Sequence, residues 1–315
     1  MTDFFMPLFN SKILLFGEYS LMVGSMALSV PFGRFHGQLV LPGGSPPINE
    51  AVFSNQQISQ FLLHLSKLSD ENKLDFEIDI DRFSEEVEAG LYFKSNILQG
   101  YGLGSSGALV ASIFEAYGKQ DKNQFTDTAQ LLRLKSFFST VESYFHGKSS
   151  GLDPLISFLN QSVLISGKDK MEVVPQNGNL KNGSGAVFLI DSGSSGETEP
   201  LVNHFVENYI NPAYKNTIDH QLIPIVNKAV NSYIDGETKI LLSTLKQLSL
   251  LQMDVFDFMI PESVRKVWQT GLETNAFYLK LCGSGGGGMM LGFTGDIDAA
   301  SNYLGAFKPI IIHRL

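Results

Sequence analysis

Residues 100–107 read Gly-Tyr-Gly-Leu-Gly-Ser-Ser-Gly and join an extended-looking segment, 91–98, to a helical pattern. Apolar residues recur at helical spacing from Leu109 to Tyr117, and Gly118 follows as the expected end of that helix. Glycines let backbone N–H groups approach a phosphate, and a helix N-terminus attracts anions through its unpaired donors and its dipole. This order of elements predicts a phosphate-binding loop in front of a helix, with a serine at the N-cap.

Two nucleotide-binding motifs with similar glycine spacing are excluded. Gly102, Gly104 and Gly107 match the dinucleotide fingerprint, but a second long helical pattern stands where that fingerprint needs a strand and an acidic residue. A Walker A loop is excluded because no Gly-Lys-Ser/Thr follows. The residues alone leave two interpretations: a phosphate loop whose serines cap the helix or bind a phosphate-bound cation, or a tight capped turn without a ligand.

Composition limits the class of protein. The chain has 315 residues, 43% apolar and 17% charged, which suits two domains with large cores. A formal net charge of −9 argues against nucleic acid and against an acidic membrane surface. The single cysteine excludes an internal disulfide, and no apolar run of about 20 residues is present. We therefore expect a cytoplasmic protein with no membrane and no nucleic-acid partner, and a homodimer is compatible with the sequence.

The arrangement of predicted elements indicates the fold class. Helical patterns over 55–69 and 128–145 alternate with short apolar strands such as 186–190, which predicts a mixed α+β chain in two parts. The weakest pattern covers 166–184, which is rich in Gly, Asn, Asp and Lys. We place the domain boundary there, giving domains 1–170 and 171–315.

Three blocks in order resemble one family. Residues 100–109 are similar to the phosphate loop of the GHMP kinases, which include galactokinase, homoserine kinase, mevalonate kinase and phosphomevalonate kinase. Residues 12–28 resemble the first mevalonate kinase motif, and residues 280–288 resemble the third. The resemblance implies an α+β, two-domain GHMP kinase fold, with a ribosomal protein S5-like nucleotide domain at the N-terminus, a ferredoxin-like domain at the C-terminus and the site between them.

An acidic pair lies between the second and third blocks. Glu142 follows Phe138 by four residues, at the margin of an apolar helical stripe, where a carboxylate needs a partner. Asp153 precedes Pro154, as a helix N-cap often does. A surface glutamate and a capping aspartate are therefore the alternatives. The segment from His146 to Asp153 is, however, similar to the mevalonate kinase block that carries the catalytic aspartate.

The resemblance implies roles for named residues. Asp153 would be the catalytic base, with Lys12 beside it keeping it ionised and stabilising the transition state. Ser106 and Glu142 would hold Mg²⁺, and ATP would be the phosphoryl donor. The ATP-binding residues would be Gly100, Gly102, Leu103, Gly104, Ser105, Ser106, Gly107 and Ala108. The residues lining the substrate pocket would be Glu18, Tyr19, His146, Gly283 and Ser284.

The expected function is ATP-dependent phosphorylation of mevalonate to 5-phosphomevalonate, a step of isoprenoid precursor synthesis. Phosphomevalonate, homoserine and sugar kinases of the same superfamily are alternatives, and so is a catalytically silent nucleotide-binding or scaffold protein. Tyr19 and Cys282 depart from the mevalonate kinase pattern, which has histidine and threonine there. A neutral tyrosine carries no positive charge, and a thiol is a weaker donor than a hydroxyl, so the acceptor stays open.

Overall fold

A computed structural model describes residues 3–44, 49–175 and 183–315, without the side chains of Asn123 and His146. These residues form strands and helices, which confirms the mixed α and β class. The strands are β1 (Phe4–Phe5), β2 (Phe9–Phe16), β3 (Ala27–Leu41), β4 (Tyr92–Ser95), β5 (Ser162–Gly167), β6 (Lys170–Val174), β7 (Ala186–Asp191), β8 (Tyr278–Leu281), β9 (Met289–Thr294) and β10 (Ile310–Arg314). The α-helices are α1 (Asn49–Asp70), α2 (Ile80–Glu88), α3 (Ser105–Tyr117), α4 (Thr128–His146), α5 (Leu152–Leu159), α6 (Thr198–Tyr209), α7 (Pro212–Thr217), α8 (Ile223–Ile234), α9 (Thr238–Val255), α10 (Glu262–Thr274) and α11 (Ile297–Leu304).

The longest sequence predictions agree with these bounds. The pattern over 128–145 is α4, the pattern over 55–69 lies inside α1, and the apolar run 186–190 lies inside β7. Helix α4 begins at a capping box, in which the Asp127 side chain accepts from the Gln130 N–H and the Gln130 side chain accepts from the Asp127 N–H. These elements were predictable because their apolar periodicity and their end signals coincide.

The chain forms two compact units, each made of several segments. Unit 1 contains residues 1–12, 31–98 and 104–161, and unit 2 contains residues 13–30, 99–103 and 162–315. These ranges differ from the domains 1–170 and 171–315, which stay a prediction. Part of the predicted boundary region, residues 176–182, lies outside the described residues.

Unit 1 holds helices α1 to α5 around a phenylalanine-rich core. Strands β1 and β4 both pair antiparallel with β3, and helix α3 packs against α5 and α4. The rings that meet in this core are those of Phe76, Phe114, Phe125, Phe137, Phe138 and Phe158. Interlocked aromatic pairs stabilise beyond their buried area, so this cluster holds α3, α4 and α5 together.

Unit 2 is built on an antiparallel sheet in the order β10-β7-β9-β8. Helices α9 and α10 contact β8, and Trp268 of α10 is fully buried with its Nε1 donating to Ser249 Oγ at 2.7 Å. Strands β8 and β9 are neighbours joined by residues 282–288, so the second glycine-rich loop connects the edge strand β8 to the interior strand β9. In the described part of the chain, none of the helices combines the length and hydropathy that a membrane span requires.

Candidate active site

Helix α3 of unit 1 begins at Ser105, and the residue before it, the N-cap Gly104, has φ 76°. Because Gly104 is the N-cap, the predicted serine cap is wrong, and Ser105 and Ser106 lie in the first turn instead. A Cβ at Gly104 would lie 3.0 Å from Lys12 Cγ and 3.2 Å from Asp153 Oδ2. Glycine therefore allows both the left-handed conformation and the close approach of these side chains. First-turn N–H groups have no carbonyl four residues back, so this helix end favours an anion.

Lys12 and Asp153 form an ion pair in unit 1, with Nζ 3.1 Å from Oδ1. The Lys12 side chain is 8% exposed and that of Asp153 is 29% exposed. Asp153 lies in the first turn of α5, whose N-cap is Gly151 at φ 71°. The alternative of a capping aspartate is therefore wrong, and the expected proximity of Lys12 is confirmed. The carboxylate keeps access to solvent while its partner is largely buried.

Glu142 is buried on α4, which contradicts the alternative of a surface glutamate. Ser106 Oγ donates to its Oε1 at 2.9 Å, and Ser149 Oγ donates to its Oε2. Burial, with the charge of Asp153 second, raises the pKa of Glu142 to about 7, while the two serine hydrogen bonds and Lys12 act in the opposite direction. The predicted pair Ser106 and Glu142 is thus in direct contact.

The oxygen donors around Glu142 fit a magnesium ion delivered with a nucleotide. Within the described ranges, no three His, Cys, Asp or Glu side chains converge as a metal site. Mg²⁺ typically uses one or two carboxylates, substrate phosphates and waters rather than a closed protein cage. Glu142 and Ser106 supply one carboxylate and one hydroxyl, both hard oxygen ligands. The donor set is therefore compatible with Mg²⁺ shared with a polyphosphate.

Glu18 and Tyr19 lie in unit 2. The Glu18 carboxylate pairs with the Lys280 ammonium group, and both side chains are 1% exposed. The Tyr19 hydroxyl donates to the Ser284 carbonyl oxygen. Burial, followed by the charges of Glu18 and Tyr214, raises the pKa of Tyr19 above its ordinary range, so this hydroxyl stays neutral. Ser284 Oγ is 3.0 Å from Thr198 Oγ1, which brings three neutral hydroxyl groups to one short loop.

The first part of the phosphate loop, residues 99–103, also lies in unit 2. Gly102 has φ 74°, and a Cβ there would lie 2.6 Å from the Cys282 carbonyl oxygen. Gly100 accepts a hydrogen bond from the Gly196 N–H at 3.0 Å, and Leu103 is fully buried. The two glycine-rich loops therefore touch within this unit, and residues with side chains at these positions would separate them.

The remaining predicted residues divide between the two units. Gly107 and Ala108 are buried in α3 of unit 1, and Gly283 adjoins Ser284 in unit 2. His146 ends α4, but its side chain lies outside the described residues, so its role stays a prediction.

Sequence reasoning missed two side chains that hold the predicted acids. Ser149 lies inside the block already identified, next to the equally eligible Ser150. Lys280 is a lone charge in the apolar run 277–281, a pattern that indicates a buried partner.

The family comparison covers the middle of the chain. Residues 70–161 match the family model described as GHMP kinases N terminal domain. This range contains Ser106, Glu142 and Asp153, whereas Lys12 lies outside it. No curated protein sequence matches the chain.

Solved structures resemble the chain over nearly its full length. L. major mevalonate kinase, solved with R-mevalonate, is 16% identical with a TM-score of 0.63, covering 98% of this chain and 95% of that one. Lactococcus lactis galactokinase, solved with galactose, is 13% identical with a TM-score of 0.64, covering 99% and 94%. Streptococcus pneumoniae phosphomevalonate kinase is 13% identical with a TM-score of 0.62, covering 100% of both chains.

Proposed function

Because this chain has the fold of the GHMP kinases and carries their N-terminal domain over residues 70–161, we propose that it is an ATP-dependent small-molecule kinase. It transfers the γ-phosphoryl group of ATP to a hydroxyl group. The observation that carries the proposal is the ion pair of Lys12 and Asp153 against the start of α3. A base, a cation and an anion-binding helix end meet there.

The chemistry follows from the demands of phosphoryl transfer, which needs positioning and charge stabilisation more than covalent catalysis. Asp153 accepts the proton of the acceptor hydroxyl as that oxygen attacks phosphorus. The Lys12 ammonium group, 3.1 Å from Asp153, stabilises negative charge on the transferred group. N–H groups in the first turn of α3 bind phosphate oxygens.

We propose that Ser106 and Glu142 hold the magnesium ion that accompanies ATP. When bound, Mg²⁺ would neutralise negative charge on the phosphate groups. Burial raises the pKa of Glu142 to about 7. A cation beside the carboxylate favours its ionised form and therefore lowers this pKa. Ser149 donates to the second carboxylate oxygen and fixes the orientation of Glu142.

For the acceptor we propose mevalonate, phosphorylated to 5-phosphomevalonate. Three ordered sequence blocks and the similarity to a mevalonate kinase solved with R-mevalonate support this choice. Glu18, Tyr19, His146, Gly283 and Ser284 are the proposed acceptor residues. Phosphomevalonate, homoserine and sugars remain alternative acceptors, because Tyr19 supplies a neutral hydroxyl where a cationic group would favour a carboxylate. A cytoplasmic location and a homodimer also stay predictions.

The test is ADP release from Mg-ATP with mevalonate, phosphomevalonate, homoserine and galactose as separate acceptors. We expect turnover with mevalonate, with 5-phosphomevalonate identified by ³¹P NMR. Turnover with only another acceptor would support the kinase activity and contradict mevalonate as the substrate. ATP binding with no ADP release from any acceptor would contradict the kinase proposal and favour the silent nucleotide-binding alternative.

A further inference from the structure

A closed chain of contacts in unit 2 joins the segment at Glu18 to the second glycine-rich loop. Lys280, at the end of β8, donates to the Glu18 carboxylate and to the Leu281 carbonyl oxygen, the latter at 2.6 Å. Tyr19, the residue that follows Glu18, donates through its hydroxyl group to the Ser284 carbonyl oxygen. The backbone from Lys280 to Ser284 completes the ring. We call this closed set of contacts the 18–284 ring.

The Lys280–Glu18 pair costs free energy to bury. Both side chains are 1% exposed, and an apolar pair of similar volume is often as stable as a buried ion pair. What the ion pair adds is direction, because charge-assisted hydrogen bonds fix both partners in one geometry. A buried pair in this position therefore indicates a role in positioning rather than in overall stability.

Tyr19 shows that the segment is held in an uncommon conformation. Its φ is 60°, a conformation that costs an aromatic residue on the order of 1–3 kcal/mol and persists only where the surroundings impose it. Its ring centre lies 5.1 Å from that of Phe205 and 5.2 Å from that of Phe256. Aromatic packing on two sides and the hydrogen bond to Ser284 thus maintain the strained backbone.

The loop Cys282–Gly288, which the ring contacts at Ser284, is rich in glycine and has few side chains of its own to hold it. Residues 283 and 285–288 are all glycine. Its other anchors include the contact of Ser284 Oγ with Thr198 Oγ1 at 3.0 Å and backbone hydrogen bonds, such as the Gly286 N–H donating to the Met259 carbonyl oxygen at 2.6 Å. Gln252 Oε1 accepts from the Leu281 N–H at 2.9 Å just before the loop. A loop of this composition depends on neighbours for its conformation.

We propose that Lys280 is a positioning residue that, through Glu18 and Tyr19, sets the conformation of loop Cys282–Gly288 and thereby the affinity for the acceptor. The second half of this statement, the effect on acceptor affinity, rests on the proposed kinase function. The first half, the effect on loop conformation, concerns the unliganded protein only. The residue acts through its neighbours and is assigned no contact with reacting atoms.

Hydrogen exchange on the unliganded protein tests the first half. Lys280→Met breaks the ring at the ion pair, and Tyr19→Phe breaks it without leaving a buried charge. In both variants we expect amides of 282–288 to exchange about tenfold faster, with β7 unchanged. The matched control is Tyr209→Phe, which removes another tyrosine hydroxyl beside Phe205 and bonded to Asp219. It should leave loop exchange at the wild-type rate.

Two results of this experiment would overturn the positioning role. One is unchanged loop exchange in folded variants. The other is exchange raised equally throughout unit 2, which indicates a general loss of stability. If Lys280→Met does not fold, Tyr19→Phe and the charge-free double variant Glu18→Gln/Lys280→Met decide between these outcomes.

Steady-state kinetics test the second half. With whichever acceptor wild type turns over, we expect Tyr19→Phe and Lys280→Met to raise the acceptor KM about tenfold while kcat falls less than about threefold. An unchanged acceptor KM in variants with faster loop exchange would overturn the link to affinity. Wild type inactive with every acceptor would instead refute the kinase function, and the exchange result would still decide the role of Lys280 in the resting protein.

Discussion

The ammonium group of Lys12 lies 3.1 Å from Asp153 Oδ1, across the N-cap of α3. Lys12 belongs to strand β2 and Asp153 to the first turn of α5, so two distant segments of unit 1 place opposite charges at one helix end. The pair gives a base with access to solvent and a cation that is nearly buried. In the proposed mechanism Asp153 acts on the acceptor hydroxyl and the start of α3 binds phosphate, so we expect substitution of Asp153 to reduce turnover more than nucleotide affinity.

Asp153→Asn keeps the size of the side chain and removes the proposed catalytic base. We expect kcat to fall about 10²- to 10⁴-fold, because general-base catalysis typically contributes that much. ATP affinity, measured by fluorescent nucleotide displacement, should change little because α3 is intact. The control Asp81→Asn, on an exposed position of α2, should retain wild-type turnover. Full activity in Asp153→Asn would refute the assignment.

Gly104→Ala tests the close approach at the helix end. Its control is Gly236→Ala, because Gly236 has a similar φ of 72° but open space around its Cβ position. Left-handed backbone costs each variant about 1–2 kcal/mol of stability, measured by urea unfolding. Only Gly104→Ala should also lose activity, by about tenfold or more, since its methyl group displaces Lys12 and Asp153. Equal activity in the two variants would contradict this reasoning.

The parts of the site that lie in one contiguous block were predictable. Helical periodicity placed Glu142 beside an apolar stripe, and the glycine spacing located α3, because both signals are local. The prediction of a serine N-cap was wrong because the local sequence pattern does not show that Gly104 adopts a positive φ. The Lys280–Glu18 pair was missed because its partners are 262 residues apart and meet only through the packing of unit 2. Lys12 was placed beside Asp153 through a family resemblance, not through spacing.

Glu142→Gln tests the proposed magnesium ligand. The substitution retains an oxygen acceptor for Ser106 and removes the negative charge, so we expect the Mg²⁺ concentration for half-maximal activity to rise about tenfold or more. The control is Glu115→Gln, an exposed glutamate of α3, which should leave the magnesium requirement at the wild-type value. An identical magnesium dependence in Glu142→Gln would show that this carboxylate does not bind the metal.

The burial of His313 leads us to expect a loss of stability in acid. Burial lowers the pKa of this residue of β10 to about 4, and its Nε2 lies 3.0 Å from the Tyr233 hydroxyl. Its Nδ1 is buried without a hydrogen-bond partner among the described residues. In the unfolded chain an ordinary histidine has a pKa of about 6.5. Between these values the unfolded state binds a proton that the folded state does not.

The free energy of unfolding therefore falls as pH drops from about 6.5 towards 4, and by linkage His313 alone contributes a decrease of about 2 kcal/mol between pH 7 and pH 5. Urea unfolding at the two pH values measures it. His313→Gln removes the titrating group, so its decrease over this interval should be smaller than that of wild type by roughly this amount. His220→Gln, at an exposed position of the helical segment Ile218–Leu222 that precedes α8, is the matched control and should keep most of the wild-type decrease. If His313→Gln lost as much stability on acidification as wild type, the acid sensitivity would come from other groups, and the buried neutral histidine would be excluded as its cause.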